Sequence, residues 1–206
     1  MKAPEVSKHV ATHVSKDVAK HLSKEVATAL CLIFAAPLLA CGPGAVQGTV
    51  EGEDLSAQDA VVTSVTFTDG SSAAQVWIAS ASNFCTAAAD TAPLKDTSLV
   101  LLQLGIVAPD GTVVAADSAG TYTLNPPALK VGERVAIGAW FHIGGCLDDH
   151  ESANTGTVTI THVLKTESGL AEMAGSISLA FGHGSVEGNF QAQPCAKVAP
   201  HALNCR

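Results

Sequence analysis

Positive charge is scarce in this chain. It carries 11 Lys and Arg against 19 Asp and Glu, and only 15% of its residues are charged. Beyond residue 40 the imbalance sharpens: 6 basic and 16 acidic side chains remain, a net charge of −10. Such a surface repels phosphate backbones, which argues against nucleic-acid binding. It also disfavours lying flat on anionic lipid. Aromatic residues are few: Trp77, Trp140, Tyr122 and six Phe. A carbohydrate module that stacks sugars on an aromatic platform would need more. Trp77 is out of phase with Val76 and Ile78, which faces it outward, but core packing is the commoner fate of a Trp. There is no C-x-x-C pair, so a zinc ribbon is excluded. G-x-S-x-G, G-x-G-x-x-G, the Walker motif and EF-hand spacing are all missing as well.

Long apolar runs are also missing, with one short exception. Val26 to Ala40 is uncharged, ends in Leu38-Leu39-Ala40-Cys41 and is followed by Gly42. It falls short of the ~20 apolar residues needed to span a bilayer, and Pro37 sits inside it. A lysine-bearing lead-in, an apolar segment and small residues before a cysteine form the pattern of a bacterial lipoprotein signal. The pattern implies that Cys41 is lipidated and becomes the first mature residue. Residues 1–40 are then a signal peptide with an unusually long n-region. In that region Val6, Val10, Val14, Val18, Leu22 and Val26 recur every four residues. Residues 41–206 form one domain, with 41–46 as a tether and 196–206 as a tail.

The remaining cysteines are Cys85, Cys146, Cys195 and Cys205, since Cys31 leaves with the signal. An even number in an oxidising compartment points to two disulfides. Four cysteines allow three connectivities. Cys85–Cys195 with Cys146–Cys205 ties the two ends of the fold together. Its rival, Cys195–Cys205 with Cys85–Cys146, is favoured by proximity in the chain. The first is slightly preferred, and geometry decides.

Beyond Cys41 no helical period is convincing. Period-two alternation and β-branched residues prevail, broken by Gly, Asp, Asn and Pro. Strands are predicted near 48–52, 59–68, 75–82, 98–108, 112–116, 120–124, 134–143, 156–166, 171–181 and 185–193. In 59–68, Val61, Val65 and Phe67 share the apolar face. In 156–166, Val158, Ile160, His162 and Leu164 share one. The nearly continuous apolar run Leu99 to Val107 loses alternation, as a central strand covered on both sides or a bulge at Gly105 would. Cys146 to Asn154 reads as an acidic loop. The fold class is all-β: an antiparallel β-sandwich, jelly-roll-like or immunoglobulin-like, with a small closed barrel as the alternative.

Several segments carry a family likeness. They are Gly48-Thr49-Val50-Glu51-Gly52, Phe84-Cys85, Gly120-Thr121-Tyr122 and Gly156-Thr157-Val158-Thr159-Ile160. Gly175-Ser176-Ile177-Ser178-Leu179 and Val186 to Ala192 before Cys195 complete the set. In these the mature chain resembles a group of uncharacterised predicted lipoproteins common in myxobacteria. The segments are strands and turns without a catalytic signature, so the resemblance implies architecture and address and brings no activity. Cys205 and the tail are additions to the pattern.

Candidate chemistry is sparse. Asp148, Asp149, His150 and Glu151 form the densest polar cluster, and Asp148, Asp149 and Glu151 are weak calcium-ligand candidates. No metal site or cofactor is expected on this basis. His183 is close to Ser185 in sequence, which is weak evidence for a triad. The expected function is that of a lipid-anchored protein of the bacterial cell envelope, on the periplasmic or surface face of the outer membrane. Its role is non-catalytic, structural or in recognition, and its partners are the membrane, through Cys41, and a protein or polysaccharide. The alternatives are an envelope-polymer hydrolase, using His142, His150 or His183 with a carboxylate and a nucleophile, and a weak calcium or carbohydrate binder.

Overall fold

A computed structural model describes residues 45–89, 94, 96–144, 147–167, 169–196 and 198. Cys41, Cys146 and Cys205 lie outside the described residues, as does the side chain of Asp148. The chain runs β1 (Gln47–Val50), β2 (Glu53–Ser56), β3 (Asp59–Thr66), β4 (Ser72–Ala79), α1 (Phe84–Ala89), β5 (Thr97–Val107) and β6 (Val113–Ala115). It continues with β7 (Gly120–Leu124), β8 (Arg134–Ile143), β9 (Leu147–Ser152), β10 (Thr155–Thr166), β11 (Gly169–Phe181) and β12 (Gly184–Pro194). The domain is all-β, with α1 as the one helix among the described residues.

Hydrogen bonding follows the order β11-β10-β7-β8-β5-β4-β3-β12, and β12 pairs again with β11. The path therefore closes into a ring, which removes most of the free sheet edge. Most pairings are antiparallel, as expected, but two are parallel. Thr123 and Leu124 of β7 face Val135 and Ala136 of β8. Gln193 and Pro194 of β12 face Val61 and Val62 of β3. These two short seams divide the ring into two antiparallel faces, β3-β4-β5-β8 and β7-β10-β11-β12. The sandwich and the closed barrel are thus two descriptions of one mixed sheet. β1 and β2 extend it beyond β12, β6 adds to β5 and β9 to β8.

Alternation places the core between the faces. Val76, Ile78, Val100, Leu102 and Trp140 from one face meet Tyr122, Ile160, Leu179 and Phe190 from the other. Leu55 of β2 also belongs to this core. A second cluster lies on the outer side of the first face, where Trp77, Leu99 and Ile143 are covered by Phe84 and Ala88 of α1. β5 is therefore buried on both sides, and its apolar run, interrupted only by Gln103, pairs with β8 through Gly105 without a register shift. The same two-sided burial corrects the reading of β3. Ala60 and Val62 enter the main core and Val61 the second cluster, while Val65 is half-buried and Phe67 is exposed.

Of three further expectations, one holds and two change. Trp77 does face away from the main core, but α1 buries it against Phe84, with ring centroids 6.2 Å apart, so it is no sugar platform. The acidic segment after Cys146 is a strand, β9, antiparallel to β8. His162 is exposed, because the β10–β11 register shifts between Ile160 and His162. That bulge spends one residue without a partner and turns every later side chain to the other face. Val163 takes the inward place and Leu164 is left exposed.

Cys85 of α1 and Cys195, just beyond β12, form a disulfide with Cα atoms 5.6 Å apart. This is the preferred pairing from the sequence. Its companion, Cys146–Cys205, lies outside the described residues.

Candidate functional site

The strand directions bring the β1–β2 turn, the β11–β12 turn and β9 to one end of the barrel. Val50 pairs with both Glu53 and Gly184, and Phe181 pairs with Gly184, so both turns are two-residue hairpins side by side. Glu51 (φ 55°) and Gly52 (φ 85°) are both left-handed, the backbone that matches the twist of paired strands. The Glu51 N–H donates to the His183 carbonyl oxygen at 3.0 Å, clamping one turn to the other.

Glu151 reaches the same place from β9. It lies opposite Trp140 in the β8–β9 ladder, and directly opposed residues project to the same side of a sheet. The Gly182 N–H donates to its Oε1 at 2.6 Å. A Cβ at Gly182 would press on that oxygen, so the Glu151 carboxylate would have to shift.

Three side chains from three segments therefore converge. His183 Nδ1 lies 2.7 Å from Glu51 Oε1 and 3.6 Å from Glu151 Oε1. The ligand-capable atoms of the three residues all fall within 4.8 Å of one another. Glu51 and His183 are exposed, whereas the Glu151 side chain keeps only 18% of its surface. Its Oε2 is out of water and without a hydrogen-bond partner. A buried carboxylate oxygen in that condition is costly.

A second group lies at the same end. The Ser98 hydroxyl is 3.3 Å from His142 Nδ1, and Glu53 Oε2 is 3.9 Å from that same nitrogen. Ser98 is 3% exposed, and its backbone N–H is bonded to the Ser80 hydroxyl. A catalytic triad needs the serine on one ring nitrogen and the carboxylate on the other. Here one ring position faces both partners, and flipping the ring leaves that unchanged.

The other candidates disperse. Asp149 lies opposite His142 in the ladder, and His150 stacks on Phe141 with centroids 6.3 Å apart. Of the two described candidates, Asp149 and Glu151, only Glu151 enters the cluster with His183. The sequence reading links His183 to Ser185, but Ser185 lies in the β12 ladder opposite Thr49 and Ala180. Glu51 was missed altogether. Its segment is legible as a strand followed by a turn, but the pairing of β1 with the start of β12 is a long-range choice with no local mark.

No family model, no curated protein and no solved structure matches this chain.

Proposed function

We propose that the chain is an exported protein of the bacterial envelope, held by lipid on Cys41 at the outer membrane, with a non-catalytic role in structure or recognition. The Cys85–Cys195 disulfide carries this reading, because such a bond persists in oxidising compartments outside the cytoplasm. It agrees with the signal pattern that ends in Leu38-Leu39-Ala40-Cys41. The likeness to predicted lipoproteins points to the same address. The placement of Ser98 and Glu53 on one nitrogen of His142 supports a non-catalytic role over an envelope-polymer hydrolase.

Membrane fractionation tests the anchor. The wild-type chain partitions with membranes and accumulates as a larger precursor under globomycin. Cys41→Ala leaves it unprocessed or released. A mutant of unchanged size and unchanged membrane association refutes the proposal.

A further inference from the structure

The end of the barrel that gathers Glu51, Glu151 and His183 is strongly acidic. Glu53, Asp54, Asp59 and Asp149 belong to the same end. Among the described residues the cations are Lys130, Arg134 and Lys165. The first two lie in the loop before β8 and at its first residue, and the third lies near the close of β10. None pairs with the cluster; the recorded partner of Lys165 is Asp117, at 2.9 Å. Two carboxylates thus meet with one imidazole as their only recorded counter-group.

A proton on that imidazole does not satisfy them. An N–H at Nδ1 points along one direction and can serve Glu51 at 2.7 Å. Glu151 Oε1, at 3.6 Å, is then beyond hydrogen-bonding range. Glu151 Oε2 stays buried and unpartnered. Trp140, directly opposite Glu151 on the same side of the ladder, also has a fully buried N–H without a partner. The buried, unpartnered Oε2 belongs to the same carboxylate whose Oε1 faces His183, so the negative charge of Glu151 is poorly compensated in place.

We propose that Glu51, Glu151 and His183 bind a divalent transition-metal ion of the zinc class. The ligands are one oxygen of each carboxylate and Nδ1 of the imidazole, and one coordination position faces solvent. Spacing supports this. Bonds of ~2.1 Å at a tetrahedral angle place ligand atoms about 3.4 Å apart, and the observed 2.7 and 3.6 Å bracket that value. Ligand chemistry sets the class, because a nitrogen donor beside two carboxylates suits zinc and its neighbours, whereas calcium and magnesium take oxygen alone. The site is also held from behind. The Gly182 N–H fixes Glu151, and the Glu51 N–H to His183 carbonyl bond fixes the two turns, as outer-shell contacts do in metal centres.

The inference is independent of lipidation at Cys41. The test uses the untagged full-length chain in detergent, stripped with a chelator and titrated with zinc chloride by calorimetry and thermal melting. The expected result is saturation at one equivalent, a raised Tm reversed by chelator, and a smaller response to calcium or magnesium chloride. Glu151→Gln and His183→Gln each weaken zinc binding by about tenfold or more, while Glu133→Gln at the opposite end leaves it unchanged. Should Glu151→Gln fail to fold, the exposed turn residue His183 carries the test. Absence of saturable binding, wild-type affinity in the His183 variant, or a preference for calcium over zinc overturns the proposal.

Discussion

Cys85 and Cys195 are 110 residues apart in sequence and 5.6 Å apart at their Cα atoms. The bond sits next to one of the two short parallel seams of the ring. The β3–β12 seam has only two paired residues on each strand, and the Cys195 N–H extends it by donating to the Val62 carbonyl at 2.9 Å. The disulfide ties that seam to α1, which covers the outer face of β3 and β4. Closure of the barrel and attachment of the helix are thus secured at one point.

Replacing both cysteines with alanine should therefore lower stability strongly. A closed loop of this length constrains the unfolded chain by ~4–5 kcal/mol in the chain-entropy model. Urea unfolding of Cys85→Ala/Cys195→Ala should show a large fall in midpoint. An unchanged midpoint would mean that the bond contributes nothing to closure.

Trp77 should behave as a core residue despite its outward phase. It is 5% exposed and lies against Phe84. Truncating a buried aromatic to alanine costs about 3–5 kcal/mol. Trp77→Ala should reach that range in chemical denaturation and reduce the near-ultraviolet dichroism. A loss under ~0.5 kcal/mol, the usual scale for a surface substitution, would place the side chain in solvent.

Gly184 should resist substitution. Its φ is +148°, and a Cβ there would run into the carbonyl oxygen of Thr49 on the neighbouring strand. Gly184→Ala should cost about 1–3 kcal/mol in backbone strain. It should also push β1–β2 away from β12, since the clash lies on that seam. Hydrogen exchange should report faster amide exchange over residues 47–56. Wild-type protection there would contradict this account.

Asp69 and Asp110 should contribute to acid sensitivity. Each opens an Asp-Gly-Ser/Thr turn and accepts two bonds from the residue two places on. Ser71 and Thr112 give hydroxyl and backbone N–H to the carboxylate, and this lowers both acids below their ordinary range. A carboxyl that is lowered in the folded state stabilises it above the unfolded value. That contribution disappears as pH falls through the lowered folded value. The double variant Asp69→Asn/Asp110→Asn should show a shallower loss of stability with acid below about pH 4. An identical slope would remove these turns from the acid response.

Much of this protein is local and could be read from the chain. Alternation at Ile177, Leu179 and Phe181, and at Val186 and Phe190, marks buried faces because a strand repeats every two residues. Asp69-Gly70, Pro109-Asp110-Gly111 and Gly182 to Gly184 mark turns because they contain a residue free to take unusual backbone angles or a side chain that bonds back to the backbone. The apolar run of β5 signals two-sided burial for the same reason. Cys85 and Cys195 could be paired on the argument that strand ends meet.

Tertiary structure decided the rest, because those features depend on partners far along the chain. A bulge at Thr161 exists only against β11, and it turns His162 outward where strict alternation sends it in. β9 is polar by composition and becomes a strand because β8 has an edge to offer. Ring closure rests on two parallel seams of two residue pairs each, too short to leave a pattern. Glu51, Glu151 and His183 come from three segments that are distant in sequence, and each reads alone as a turn or loop residue. Only the pairing of β1 with β12 and of β9 with β8 makes them neighbours, and it is that arrangement of charge in space that gives this end of the barrel its chemistry.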